Sequence, residues 1–116
     1  MQHRDRTIIQ KILAEISISQ SMMGTVSKED FLQNEMLKRA VAMTIINVGE
    51  LIKNVTNETR KQYPEIPWRA AAGMRDLAAL KYQTLRMEDV YNTARQDFDE
   101  LESQLSAIVK NDSQDS

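Results

Sequence analysis

The chain contains no cysteine and a single histidine, His3, among its 116 residues. These absences exclude a disulfide scaffold, a thiolate nucleophile, a cysteine-bearing zinc site and a histidine cluster that binds a metal. His3 lies near the start of the chain, where a general base would lack the fixed geometry that catalysis needs. Three scattered glycines also cannot build a P-loop or a dinucleotide-binding fingerprint. We therefore expect no metal and no cofactor.

Long apolar runs are also missing from the sequence. No stretch approaches the roughly 20 residues needed to cross a bilayer, and the opening Met-Gln-His-Arg-Asp-Arg lacks the apolar core of a secretory signal. Hydrophobic residues make up 41% of the chain, which is enough for one core. The expectation is a cytoplasmic protein with no membrane partner, with one domain over residues 1–110 and a flexible tail over 111–116.

Charge is nearly balanced overall, at −2, but it is unevenly distributed. Residues 53–86 hold seven basic and three acidic side chains, whereas residues 87–116 hold two basic and eight acidic ones. A basic strip of this kind can bind a short single-stranded nucleic acid even on an acidic protein. It is also typical of an ordinary solvated helix face, so charge alone leaves both interpretations open.

Glycine and proline are scarce, and apolar residues recur at spacings of three and four along the stretches between them. This periodicity is typical of amphipathic helices. It predicts helices over residues 4–23, 28–63, 68–80 and 87–109, with Gly24 ending the first helix and Ser27 capping the second in a variant of the capping box completed by Asp30. The short connections favour an all-α fold, an up-and-down four-helix bundle.

The second predicted helix has two apolar stripes where a core helix needs one. A helix that is apolar over two stripes must hide more than one face, so the pattern indicates a homodimer or a deeply buried central helix. Gly49 lies within this helix at a cost of about 1 kcal/mol relative to alanine, which predicts the close approach of another backbone or of a ligand. One stripe comprises Leu37, Val41, Ile45, Val48, Ile52 and Val55, and the other comprises Leu32, Met36, Ala40, Met43 and Ile46.

The most unusual local sequence is Gly73-Met74-Arg75-Asp76-Leu77-Ala78-Ala79-Leu80-Lys81-Tyr82, at the end of the third predicted helix. It brings a phosphate-binding guanidinium, a carboxylate, an ammonium group and a tyrosine close to one helix end. The alternative is structural: Arg75 and Asp76 form a surface pair, and Tyr82 caps the core.

Over residues 4–109 the sequence resembles the HepT-like branch of the HEPN superfamily. The resemblance is carried by residues 27–31, Val48-Gly49-Glu50, Tyr63-Pro64-Glu65-Ile66-Pro67-Trp68-Arg69 and Gly73-Met74-Arg75-Asp76. It implies a four-helix bundle that dimerises and places two Arg-x4-His-x-Tyr motifs in a cleft between the subunits. It also implies a metal-independent ribonuclease, a toxin encoded beside a minimal nucleotidyltransferase antitoxin that transfers AMP to the motif tyrosine.

Matching the motif residue by residue gives Arg75 as its arginine, Asp76 as the next polar residue, Leu80 at the histidine position and Tyr82 as the AMP acceptor. Leucine cannot move a proton, and general acid–base catalysis contributes roughly 10²–10⁴-fold, so the resemblance implies an impaired ribonuclease. Phosphate binding is expected from Arg69, Arg75 and Lys81. Two alternatives stay open: a non-catalytic dimer that binds RNA or the antitoxin, and a helical scaffold with no RNA role.

Overall fold

The computed structural model describes the backbone of residues 1–81 and 86–115 and the side-chain surroundings of residues 1–76 and 86–112. Over these ranges the chain forms helices and short connections, without a strand. The helices are α1 (His3–Met23), α2 (Lys28–Gln33), α3 (Glu35–Lys53), α4 (Asn57–Gln62), α5 (Trp68–Lys81), α6 (Met87–Asn92) and α7 (Phe98–Asp115), and a π-helical turn over Thr93–Asp97 joins the last two. The predicted all-α fold is confirmed.

The four long helices alternate in direction. Asn47 on α3 donates to Glu15 on α1 over 3.4 Å, and the Thr56 amide after α3 donates to Asp5 near the start of α1 over 3.2 Å, so α1 and α3 are antiparallel. Two further pairs set α7 antiparallel to α1: Gln20 with Asp99 and Arg6 with Asp112, each at 2.9 Å. Arg60 donates to the Ile52 carbonyl at the end of α3 and lies beside the start of α5, so α5 is antiparallel to α3. The result is an up-and-down bundle.

The core lies inside the bundle, where α3 packs against both α1 and α5, and α7 packs against α1. The first predicted stripe of α3 is buried from Val41 to Val55, and Leu37 is partly buried. Burial of one stripe per helix is what holds a bundle of amphipathic helices together. The fully buried aliphatic and aromatic side chains include Ile9, Ile12, Ile16, Val41, Val48, Ile52, Phe98 and Leu105.

The continuous helix predicted over residues 28–63 is wrong, because the chain breaks there into α2, α3 and α4. Asn34 has extended backbone, and its side-chain oxygen accepts from the Leu37 amide over 3.0 Å, which starts α3. Thr56 starts α4 in the same way, since its hydroxyl accepts from the Thr59 amide over 3.4 Å. Asn and Thr favour such caps over helix interiors because their side chains compete for backbone hydrogen bonds. The predicted cap at Ser27 is confirmed, with 3.1 Å to the Asp30 amide.

The last helical segment begins at Met87 as predicted but continues past Val109 to Asp115, with a π-helical turn that was not predicted. Residues 111–115, predicted as part of a tail, are therefore helical. Beyond the predicted end, Asp112 forms the ion pair with Arg6 that joins this helix to α1. The hydrophobic pattern of a single sequence gives no information on such a long-range pair. For this reason the helix was predicted to end too early.

Arg95 fixes the turn between α1 and α2. Its guanidinium donates to the carbonyls of Gly24 and Val26 over 2.8 Å each, and it lies 5.3 Å from the centre of the Tyr91 ring. The Tyr91 hydroxyl donates to the same Val26 carbonyl over 3.2 Å, so both side chains hold the turn. Gly24, the predicted end of the first helix, has a positive φ of 49°, a conformation that favours glycine. None of the helices in the described part of the chain combines the length and the apolar character that crossing a bilayer requires.

Candidate functional site

Arg75 is held against α3 by a close approach between two helix backbones. A Cβ atom built on Gly49 would lie 2.7 Å from Arg75 Cβ, 2.8 Å from the Arg75 backbone nitrogen and 3.1 Å from the Ala72 carbonyl oxygen. These separations are shorter than van der Waals contact, so any side chain at position 49 would push α5 away. The close approach predicted from Gly49 is thus made by the backbone of α5, at the residue that carries the guanidinium.

We expect Gly49→Ala to lower the free energy of unfolding by about 1–3 kcal/mol, because overpacking outweighs the helix propensity of alanine. Gly73→Ala is the matched control, because it makes the same substitution within helix α5. A Cβ atom built at position 73 has no heavy atom of another part of the chain within 4 Å. That variant should gain up to about 1 kcal/mol from helix propensity alone. Urea unfolding of both variants measures the difference, and equal effects of the two substitutions would contradict the close approach.

The Arg75 guanidinium forms an ion pair with Glu50, from its Nε atom to the Glu50 carboxylate. Its Nη1 atom lies 3.7 Å from the Asp76 carboxylate, so the predicted Arg75–Asp76 surface pair is present but is the longer of the two. Arg75 is 41% exposed and Glu50 is 46% exposed. Glu50 thus orients the guanidinium through Nε. An incoming anion would meet the Nη groups, of which Nη1 already faces the Asp76 carboxylate.

The other predicted site residues are only partly assembled around Arg75. Asp76 is exposed next to it, whereas the exposed Arg69 is six residues earlier on α5, roughly 9 Å along the helix axis, and lines a separate shallow groove beside Arg60. Leu80 and Lys81 continue α5, and their side chains lie outside the described residues. Tyr82 lies outside the described residues altogether.

A pocket lined by both charged and apolar side chains opens between α1 and α3 beside Glu50. We call it the Lys11–Glu50 pocket; its volume is about 410 Å³, and it is lined by Lys11, Ala14, Glu15, Asn47, Glu50 and Leu51. A larger cleft of about 500 Å³ separates α5 from the π-helical turn and α7, but Arg75 does not line it. No group of three or more potential metal-ligating side chains occurs among the described residues.

The face of the bundle that carries this pocket changes from apolar to polar along its length. Its apolar end, which we call the apolar patch, consists of Ile18, Met36 and Met43, which are 50%, 82% and 56% exposed. The antiparallel register of α1 and α3 places Ile18 near Met43, about one turn from the Glu15–Asn47 pair. The second predicted stripe of α3 is therefore left uncovered within one chain at Met36 and Met43.

The sequence analysis gave no role to the polar end of this face, although Glu50 is among the residues that carry the family resemblance. Asn47 and Glu50 continue the spacing of Met36, Ala40 and Met43 in steps of three and four, so the same helical stripe simply changes from apolar to polar. That continuation is the signal that could have identified Asn47 and Glu50. The pairing of Glu50 with Arg75 could not be found in this way, because it depends on how α5 packs on α3.

Comparison with known proteins places this bundle in a family. The model of the family described as Ribonuclease HepT-like matches residues 12–108, which include α3, α5 and the whole Arg75 site. The chain therefore belongs to the HepT-like family. The resemblance noted from the sequence is confirmed by this match.

Curated relatives from bacteria and archaea match most of the chain. A protein of Caldanaerobacter subterraneus subsp. tengcongensis, named provisionally as an RNase, is 30% identical over 105 residues, 90% of this chain and 94% of its own length. A protein of Methanocaldococcus jannaschii with the same provisional name is 32% identical over 82 residues, 71% of this chain and 68% of its own. A protein of Thermococcus cleftensis, named provisionally as the ribonuclease HepT, is 26% identical over 95% of this chain and 100% of its own. No solved structure matches the chain.

Proposed function

We propose that this protein is a metal-independent RNA endonuclease of the HepT type whose catalysis is impaired by Leu80. The observation that carries the proposal is the presentation of Arg75: an exposed guanidinium on α5, fixed to α3 at Gly49 and oriented by Glu50. It lies within the matched family region, and the relatives named above carry ribonuclease names. RNA is therefore the proposed substrate.

The proposed reaction needs a charge stabiliser and a proton carrier. The ribose 2′-oxygen attacks the adjacent phosphorus, and the bond from phosphorus to the 5′-oxygen of the next nucleotide breaks. The proton of the 2′-hydroxyl must leave, and the 5′-oxygen must receive one. Arg75 supplies positive charge for the phosphate oxygens in the transition state. Leu80, at the histidine position of the motif, supplies no proton transfer, so we expect slow turnover.

The test is an RNA cleavage assay in excess EDTA with the chain as given and with Arg75→Ala. Alanine keeps the Cβ atom that packs against Gly49, so the variant should fold while it loses phosphate binding. We expect slow cutting by the given chain and at least about 10²-fold less by the variant, the size of effect seen when one transition-state donor is removed. Equal cutting by both would show that the activity does not arise at this site.

A non-catalytic dimer that binds RNA or the antitoxin is the second candidate, and Leu80 is the observation that favours it. This alternative predicts RNA binding that weakens steeply with salt, because phosphate contacts release counterions. It also predicts no cutting, even after a histidine is restored at position 80. A helical scaffold would show neither binding nor cutting.

A homodimer through the apolar patch is part of the proposal. Exposed large apolar side chains grouped on one face mark interaction sites, and this patch adjoins the polar face with Glu50. We expect Met43→Glu to shift the protein from dimer to monomer at micromolar concentration, because it would place a carboxylate in the contact. Light scattering measures the mass, with Ser106→Glu on an exposed position of α7 as the control. A monomeric parent protein would refute the dimer.

The toxin–antitoxin role follows from the family resemblance and is also proposed. A minimal nucleotidyltransferase would transfer AMP from ATP to the Tyr82 hydroxyl, with loss of the hydroxyl proton and release of pyrophosphate, in the cytoplasm. The added anion would exclude RNA phosphate from the Arg75 site. Intact-mass measurement after incubation with the cognate enzyme and ATP should show one added AMP. An equal gain in Tyr82→Phe would place the modification elsewhere.

A further inference from the structure

The Lys11–Glu50 pocket lies directly beside Arg75, because Glu50 belongs to both. Its Oε1 atom pairs with Nε of Arg75, and its side chain also lines the pocket. A group in the pocket is thus separated from an anion on Arg75 by about one side chain. This is the arrangement that a nucleotide needs when its phosphate and its base bind to neighbouring sites.

The charges in the pocket select a neutral group. Glu50 is paired with Arg75, and the pocket lining also carries Lys11 and Glu15, which have opposite signs. These two side chains are one helical turn apart on α1 but form no ion pair in the part of the chain that the structure describes. Both are therefore available to a ligand. A second phosphate would face the Glu15 and Glu50 carboxylates, so the charges favour the uncharged base of a nucleotide.

The hydrogen-bonding groups of the pocket favour a ligand that donates. Among the described residues, the Glu15 carboxylate accepts one long hydrogen bond, from the Asn47 amide at 3.4 Å. An ionised carboxylate accepts but cannot donate, so a base must present N–H groups to Glu15. Lys11 is a donor and would meet a base oxygen or ring nitrogen, while Ala14 and Leu51 supply apolar surface. The volume of about 410 Å³ is within the range of small-molecule sites, roughly 300–1,000 Å³.

We infer that the Lys11–Glu50 pocket binds a guanine base of the RNA next to the phosphate held by Arg75. Guanine presents two adjacent N–H donors, N1–H and the N2 amino group, that match the two oxygens of Glu15, and its O6 and N7 acceptors suit Lys11. Adenine and cytosine place a ring acceptor beside their amino group, which would oppose a carboxylate oxygen. Uracil offers a single N–H. The inference rests on the proposed RNA-binding function and adds base preference to it.

The test uses short RNA analogues that cannot be cut. Tetranucleotides of 2′-O-methyl uridine, either unsubstituted or with one guanine, adenine or cytosine beside the central linkage, are titrated with the full chain and followed by fluorescence anisotropy. We expect the guanine oligonucleotide to bind at least about fivefold more tightly than the uracil one, and the adenine and cytosine oligonucleotides to stay within about twofold of uracil. The readout is a ratio of affinities, which does not depend on the folded fraction of a variant.

Two carboxamide substitutions locate the preference. Glu15→Gln replaces one acceptor by an amide donor and should reduce the guanine-to-uracil ratio to about 1, whereas Glu58→Gln, an exposed position on α4, should keep it. Binding of all four oligonucleotides without a preference, or a preference unaffected by Glu15→Gln, would overturn the base site and leave the proposed function standing. No binding of any oligonucleotide would overturn both. One further outcome would assign the pocket to a contact with a second copy of the chain. In that outcome the parent protein shows no base preference, and Glu15→Gln loses dimerisation in light scattering.

Discussion

Leu80→His raises the rate of metal-free RNA cleavage by roughly 10²–10⁴-fold, the usual contribution of a positioned general acid–base group. The expectation rests on what the site already contains. Arg75 is packed against Gly49 and paired with Glu50, so the guanidinium that we propose as the charge stabiliser is held in place. In the proposed mechanism, the missing part is a group at position 80 that takes a proton from the 2′-hydroxyl and returns one to the leaving oxygen.

The measurement is single-turnover cleavage of a labelled RNA in EDTA. Leu80→Gln is the matched control, because glutamine is polar but has no pKa near neutrality and should not restore cutting. The double variant Leu80→His with Arg75→Ala should lose the gain. A pH–rate profile adds a readout that a purely structural effect would not move, since a histidine catalyst makes the rate depend on pH near 6–7. If histidine and glutamine restored cutting equally, leucine would be shown to hinder cleavage by its shape and not by the lack of a proton carrier.

The sequence alone was sufficient for the parts of the fold that depend on local pattern. The spacing of Ile9, Ile12 and Ile16 identifies the core face of α1, and Gly49 predicts a close approach in α3. In both cases the sequence signal lies within one helix, although the partner that Gly49 meets belongs to α5.

The parts that the sequence did not reveal depend on contacts between helices. The break at residues 54–56 follows from Thr56 capping α4 while the Asp5 carboxylate, 51 residues earlier, accepts from Thr56. The extension of α7 coincides with the pair between Asp112 and Arg6. In the candidate site, Arg75 could be named from its motif, but its partner Glu50 could not, because only the packing of α5 on α3 brings the two together.

Asp5→Asn lowers the free energy of unfolding by about 2–4 kcal/mol at pH 7, because it removes a buried charge that three donors satisfy. Asp5 is fully buried. Its carboxylate accepts from the Thr56 amide over 3.2 Å, from the Thr56 hydroxyl over 2.5 Å and from the Thr59 hydroxyl over 2.6 Å. The asparagine amide keeps one acceptor but turns a donor toward these groups. Since whole domains are stable by about 5–15 kcal/mol, this is a large fraction of the total.

The pH dependence of this loss has a definite sign. Burial by itself raises the pKa of Asp5, but the hydrogen bonds from Thr56 and Thr59 outweigh it and hold the pKa below its ordinary value of 3.8. The folded protein therefore binds fewer protons at Asp5 than the unfolded chain does, and the stabilisation is complete above the unfolded pKa and is lost as the pH falls through the folded one. Urea unfolding between pH 7 and pH 2 should show the gap between parent and Asp5→Asn closing below about pH 4. The control is Asp97→Asn, at an exposed carboxylate in the π-helical turn, which should differ little from the parent in free energy of unfolding at every pH. If the difference between the parent and Asp5→Asn stays constant with pH, Asp5 contributes by its shape and not by its charge.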